Sequence, residues 1–344
     1  MKKLLFILTV GLMLSACSND FEVTAPWKEI PVVYGILSPQ DTAHYIRIEK
    51  AFLDPEVSAL TIAKIADSLY YPESAIMVFL ERTDNQNRLQ FQRVNGALEG
   101  YPRKDGVFAT EPNWLYKAKS SPSFPLDPGK TYRLVIERAD GKPNITAETT
   151  LPAPFVIVKP SVMQVPIIGF EKVVPPTPIS WRTDENAYFF NITFKIRYLD
   201  KNANGTTAAA NELVWLAAKN VPRGEATSAP GGLFSVSRDI ARNSFYNFLA
   251  QNLQRPVGNM YREFQTLDIL IEGGGREIKE YLDTADANGG LTGAEVFPNY
   301  SNISEGFGIF TGKNQVIGQN IRLTTNTVDS MNANSITDTL RFRY

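Results

Sequence analysis

Sulfur and imidazole chemistry are almost missing from this chain: of 344 residues one is cysteine, Cys17, and one is histidine, His44. That scarcity excludes an internal disulfide, Cys/His zinc sites and any two-histidine metal site. A Ser-His-Asp arrangement has only His44 as its base. His44 lies in the alternating stretch Thr42 to Ile48, which reads as a strand with His44, Ile46 and Ile48 on one face, and no Gly-x-Ser-x-Gly elbow accompanies it. Excess charge is missing too. Lys and Arg number 35 against 36 Asp and Glu, without a basic cluster, so nothing is present to neutralise phosphates and nucleic-acid binding is excluded. Long apolar runs are absent beyond Leu4 to Leu14, and that run is shorter than the roughly 20 residues a spanning helix needs.

The first residues carry an address. Lys2 and Lys3 precede the apolar run, and Leu14-Ser15-Ala16-Cys17 closes it with small residues before cysteine, the pattern of a signal peptide over 1–16 with a lipobox. The resemblance to bacterial lipoproteins implies diacylglycerol on the Cys17 thiol and a further acyl chain, such as palmitate, on its new amino group. Each buried CH₂ contributes about 0.8 kcal/mol, so several chains anchor almost permanently. Residues 17–29 are then a tether. Ser18, in place of Asp, argues by resemblance to proteobacterial sorting for the outer membrane. Ser18, Asn19, Asp20, Phe21 and Glu22 resemble the short acidic signal that sends lipoproteins of Bacteroidota to the cell surface; a solvated acidic linker is the other reading.

From Ile30 onward short alternating runs are separated by Pro, Gly, Asn and Asp, which predicts a mainly β fold. Strands are expected at Ile30 to Leu37, His44 to Phe52, Ile76 to Glu81, Leu89 to Val94, Thr131 to Glu137 and Ile145 to Thr150, with a short helix or covering loop over Ser58 to Tyr70. Leu126-Asp127-Pro128-Gly129-Lys130-Thr131-Tyr132 resembles the tyrosine corner of immunoglobulin and fibronectin type III sandwiches. The expected organisation is two antiparallel β-sandwiches, over 30–152 and 155–344, separated by the stiff Pro152-Ala153-Pro154. In the second, Trp181 is expected as core filler and Tyr188 to Tyr198 as a strand with one wet face. Helical spacing predicts an inserted amphipathic helix over Ser237 to Leu253, capped by Ser237. Phe264 to Glu272 is expected as strand, Glu277 to Leu282 as a short helix and Ile336 to Tyr344 as a closing strand.

Chemical motifs are few. Asp200, Asn202 and Asn204 with Gly205 begin like an EF-hand calcium loop, but position twelve is Asn211, so a polar hairpin turn is favoured. Asp283 to Gly290 gets the same answer. Glu272-Gly273-Gly274-Gly275-Arg276-Glu277 is glycine-rich like a phosphate loop yet lacks the Gly-Lys-Ser/Thr ending, and is expected as a flexible turn.

The segment Asn302-Ile303-Ser304-Glu305-Gly306-Phe307-Gly308-Ile309-Phe310 is a run of Asn-Ile-x-x-Gly-x-Gly-x-Phe type. With the lipobox, Pro31-Val32-Val33-Tyr34-Gly35-Ile36-Leu37 and the Leu126 to Tyr132 corner, it makes the chain resemble DUF4249, a domain-of-unknown-function family of Bacteroidota lipoproteins. The resemblance carries no catalytic residues and no cofactor. It implies an accessory or capture role beside TonB-dependent outer-membrane transporters. The expectation is therefore a non-enzymatic, surface-facing lipoprotein that binds a ligand or partner. A carboxylate-only surface hydrolase of glycosidase type is the alternative, and a structural spacer a third.

Overall fold

The computed structural model describes residues 29–51, 58–162, 165–224, 233–288 and 300–344. Met1 to Ala16, Cys17 and Ser18 to Glu22, with the predicted leader, lipid site and sorting signal, lie outside the described residues.

The fold is mainly β, as the alternating runs require. A first group of strands comprises β1 (Ile30–Leu37), β2 (Ala43–Ala51), β3 (Ile76–Arg82), β4 (Arg88–Asn95), β5 (Trp114–Lys119), β6 (Thr131–Arg138) and β7 (Ile145–Thr150), with the short helices α1 (Ala59–Ile62) and α2 (Ala66–Leu69) between β2 and β3. Along β1, Val33, Gly35 and Leu37 face inward while Tyr34 and Ile36 face out, the period of two expected of a half-buried strand. The inward residues of this group form one core, centred on Ile46, Ile48, Leu80, Tyr132 and Ile136. The tyrosine corner is present. The Tyr132 hydroxyl donates to Pro125 O (3.1 Å) and accepts from Asp127 N (2.6 Å), fixing the turn before β6.

A second core is built by β8 (Val156–Lys159), β9 (Ile167–Ile168), β10 (Thr177–Thr183), β11 (Phe189–Lys201), β12 (Thr207–Pro222), β13 (Phe234–Ile240), α3 (Arg242–Asn252), β14 (Tyr261–Gly274), β15 (Phe307–Leu323), α5 (Thr325–Ala333) and β16 (Phe342–Arg343); helix α4 (Arg276–Asn288) links β14 toward β15 without entering it. Trp181 is fully buried there against Phe190, edge to face with ring centroids 5.0 Å apart. Two expectations fail locally. Ser237 does not cap a helix: it pairs with Ser180 inside β13, and α3 begins after Ala241 without a side-chain cap. The chain end is not one strand. Helix α5, capped by the Thr324 side chain, and a 3₁₀ turn at Asp338–Leu340 precede a two-residue β16, because Val328, Met331 and Leu340 seal the second core.

Both cores hang on β15. Its first residues pair in parallel with β1, Val32 opposite Phe307 through Leu37 opposite Gly312; from Lys313 on it pairs antiparallel with β14. One path of strands therefore runs from β12 through β11, β14, β15, β1, β2, β5, β4, β3 and β6 to β7. Phe310 and Ile303, late in sequence, complete the first core. The motif before β15 explains the join. The Asn302 amide accepts from Phe310 N (2.9 Å) and donates to Phe310 O (2.7 Å) and Glu148 O (3.0 Å), acting as a fragment of strand. Gly308 adopts φ +112° and a Cβ there would lie 1.9 Å from the Val33 carbonyl oxygen, so only glycine fits.

Gly308→Ala is expected to lose about 3 kcal/mol of stability or to prevent folding, combining left-handed strain with overpacking. Gly106→Ala, where an added Cβ meets nothing within 4 Å, is the matched control and should be near neutral. Urea unfolding of both checks this, and a loss below about 1 kcal/mol for Gly308→Ala would contradict the packing account.

Candidate functional site

Outward-facing residues of β15, β1, β2 and β5 form a common floor. They are Ile309 and Lys313 on β15, Tyr34 and Ile36 on β1, Ala43, Tyr45 and Arg47 on β2, and Leu115 and Lys117 on β5; register places Tyr34 opposite Arg47 and Tyr45 opposite Lys117. Helix α4 lies beside Tyr34, its Tyr281 ring edge-on to it at 6.5 Å. The β4–β5 connection, 96–113, forms a wall, its Tyr101 ring 4.8 Å from that of Tyr45. Over this floor and against this wall lies an open groove of about 770 Å³, lined at the β1–β2 turn by Gln40, Asp41 and Thr42, within the usual volume of small-ligand sites.

The wall is held rigidly. Glu99 accepts from Tyr45 Oη (2.9 Å) and pairs with Lys117. The Lys117 ammonium, with the Tyr45 hydroxyl adding to it, holds the Glu99 carboxyl below its usual range. Arg103 forks onto Glu49 at 2.8 and 3.3 Å, and Glu49 also accepts from Arg47 at 2.9 Å. Asn113 Nδ2 donates to Tyr101 O (2.7 Å), which fixes the backbone under the exposed ring. Tyr101, in the connection, keeps 54 % of its surface exposed, and Tyr34, on β1, 40 %. Burial and the neighbouring Tyr281 push the Tyr34 hydroxyl above its ordinary range. Next to this groove, a smaller recess of about 120 Å³ lies among Ile36, Phe189, Gly273, Gly274, Ile278 and Gly312. Glycine is needed there by packing: a Cβ on Gly273 would lie 2.6 Å from Phe155, and one on Gly274 2.4 Å from Phe189. The passage expected to be a flexible turn is instead the end of β14, tightly packed.

The other sequence candidates are accounted for structurally. Asp200, Asn202 and Asn204 sit in the β11–β12 hairpin. Asp200 pairs with Arg262 (3.2 Å) and accepts from Asn211 (2.8 Å), and Asn202 and Asn204 bond Thr206. Asp283 lies on α4, paired with Lys279. Among the described residues no group of three His, Asp or Glu is placed to hold a metal ion.

His44 is buried on the inner face of β2, with Nε2 3.0 Å from Ser120 Oγ. This pair is not a nucleophile and its base. Ser120 gives its proton to Asp41 O (2.5 Å), so its oxygen must accept from a protonated Nε2, and Nδ1 is buried without a partner. The arrangement ties the β1–β2 turn to the end of β5. Burial pushes the His44 pKa down, opposed by the Asp41 charge. A folded pKa below the unfolded value of about 6.5 means that the unfolded chain binds the extra proton. The stabilisation is full above about pH 6.5 and is lost as pH falls toward the folded pKa. Wild type should therefore lose stability between pH 7.5 and 5.5 relative to His44→Gln in paired urea titrations. Equal losses in both proteins would refute a buried neutral imidazole.

Sequence reasoning missed the groove. Its parts come from β1, the β1–β2 turn, β2, 96–113, β5 and β15, and only the outward positions of Tyr34 and Ile36 in an alternating strand signalled it. No curated protein matches this chain. A solved structure described as "Structural insight into host cell surface retention of a 1.5-MDa bacterial ice-binding adhesin" shares 10 % identity over 88 % of this chain and 67 % of that one, with a TM-score of 0.17, too low to carry an argument. A family model does match, that of the domain of unknown function DUF4249, over residues 20–317. The match spans most of the chain, with the Asn302 to Phe310 segment and the tyrosine corner inside it, and the protein belongs to the DUF4249 family.

Proposed function

We propose that this protein is a lipid-anchored accessory protein of the outer membrane, exposed at the cell surface, that captures a ligand or partner in the groove over β15, β1, β2 and β5 without chemically changing it. The observation that carries the reading is the exposed pair of rings in one preformed groove, Tyr34 on its floor and Tyr101 on a wall braced by the ion pairs of Glu99 with Lys117 and Arg103 with Glu49. Exposed aromatic area that is already rigid costs little entropy on binding, which is why tyrosine dominates recognition surfaces. The Cys17 lipobox and the Ser18 to Glu22 signal supply the expected anchor and address. An envelope or TonB-dependent uptake complex is the proposed setting. Binding is favoured over carboxylate-based cleavage because, among the described residues, the groove lining holds one carboxylate, Asp41, where glycoside hydrolysis by acid and base needs two.

A photo-crosslinking residue in place of Tyr101 should capture an envelope macromolecule in intact cells, whereas the same residue in place of exposed Met77 on β3 should not. Cys17→Ala should abolish lipid labelling and the crosslink together. A Tyr101 yield no higher than that of Met77, or an undiminished yield with unlipidated Cys17→Ala, would overturn the proposal.

A further inference from the structure

We infer that the groove binds a neutral glycan chain, with pyranose rings laid against Tyr34 and Tyr101; this rests on the groove being the binding site proposed above. The first argument is charge. The cations of the floor are paired with carboxylates, Lys313 with Glu272 at 3.5 Å and Lys117 with Glu99, while Arg47 and the wall residue Arg103 share Glu49 and leave a single net positive charge. The remaining charges at the turn end, Asp41 and Lys119, have opposite signs. No run of like charge is left to attract a phosphate, a uronate or an acidic or basic peptide.

The second argument is the backbone. From Val32 to Gly35, β1 is paired on both sides, with β15 and with β2, and at Ile46 β2 passes from pairing with β1 to pairing with β5. Tyr34 therefore lies on a stretch of strand with no free edge, and a peptide cannot bind there by adding a strand. What the groove does offer is ring faces and small polar groups. Tyr34, Tyr101 and Ile36 present apolar area, while Thr42, Asp41 and Gln40 line the turn end. A pyranose has that same division, an apolar face of C–H bonds and a rim of hydroxyls, and tyrosine satisfies both with an apolar body and a polar tip. The floor is a sheet surface open along its length, which suits an extended β-linked chain better than a coiled one.

The test is calorimetric titration of the full-length protein in detergent with cellohexaose and xylohexaose as neutral probes, and with oligogalacturonate as the anionic one. Binding of a neutral hexasaccharide is expected, weakened at least 10-fold by Tyr101→Ala and by Tyr34→Ala with urea midpoints unchanged, and insensitive to salt. No neutral binding at millimolar probe, binding of oligogalacturonate alone, or full affinity in both folded variants would overturn the glycan assignment. If the Tyr101 crosslinker captures a protein while neither neutral probe binds, the glycan assignment fails and the groove stands as a protein-binding site. If the crosslinker captures nothing and the probes do not bind, both readings fail.

Discussion

The parallel pairing of β1 with the first half of β15 is the constraint on which the rest of the molecule depends. A parallel neighbour cannot come from a tight turn, and here β1 and β15 are separated by most of the chain. The join needs special residues because the backbones approach so closely. Gly308 rests on the Val33 carbonyl, and Asn302 supplies the hydrogen bonds that a further strand would otherwise make. Once made, it delivers Ile303 and Phe310 to the first core and hands the remainder of β15 to β14 and the second core. The groove follows directly, since its floor is the outer face of that join.

Much of this was legible one strand at a time. Alternation located β1, β2, β6, β7, β11 and β14, and the Pro-Gly turn before Tyr132 announced its corner because the hydroxyl contacts are local, within seven residues. Trp181 declared itself by size. Two of the failures share a cause: periodicity over a few residues does not separate a buried strand from a helix. Ile240 points into the second core from the end of β13, so its spacing to Phe245 and Leu249 imitated the first turn of a helix. At the chain end, apolar Ile336, Leu340 and Phe342 suggested a strand although they belong to three different local structures. The run Glu272 to Gly275 was read as loose because glycine is conformationally free, whereas here it makes room for Phe155, Phe189 and Phe190.

The groove was illegible for a different reason. No two of Tyr34, Tyr45, Tyr101, Tyr281 and Lys313 belong to the same element, and each alone is an ordinary surface residue. Only the fold reveals that the exposed rings share one groove and that Glu99 and Glu49 are spent on holding its wall. The same contacts bear on chemistry. Carboxylates engaged by Lys117, Arg47 and Arg103 are committed to structure, and the single histidine faces the interior.

If β15 unites the two cores, they must unfold together. Native-state hydrogen exchange in increasing urea measures this directly, through amides of β2 and β5 on one side and of β11 and β14 on the other. The account predicts that the slowest amides of both sets converge on one opening free energy, within about 1 kcal/mol. Separate opening of either set, several kcal/mol (about 3 or more) below the other, would show that the join does not make them one cooperative unit.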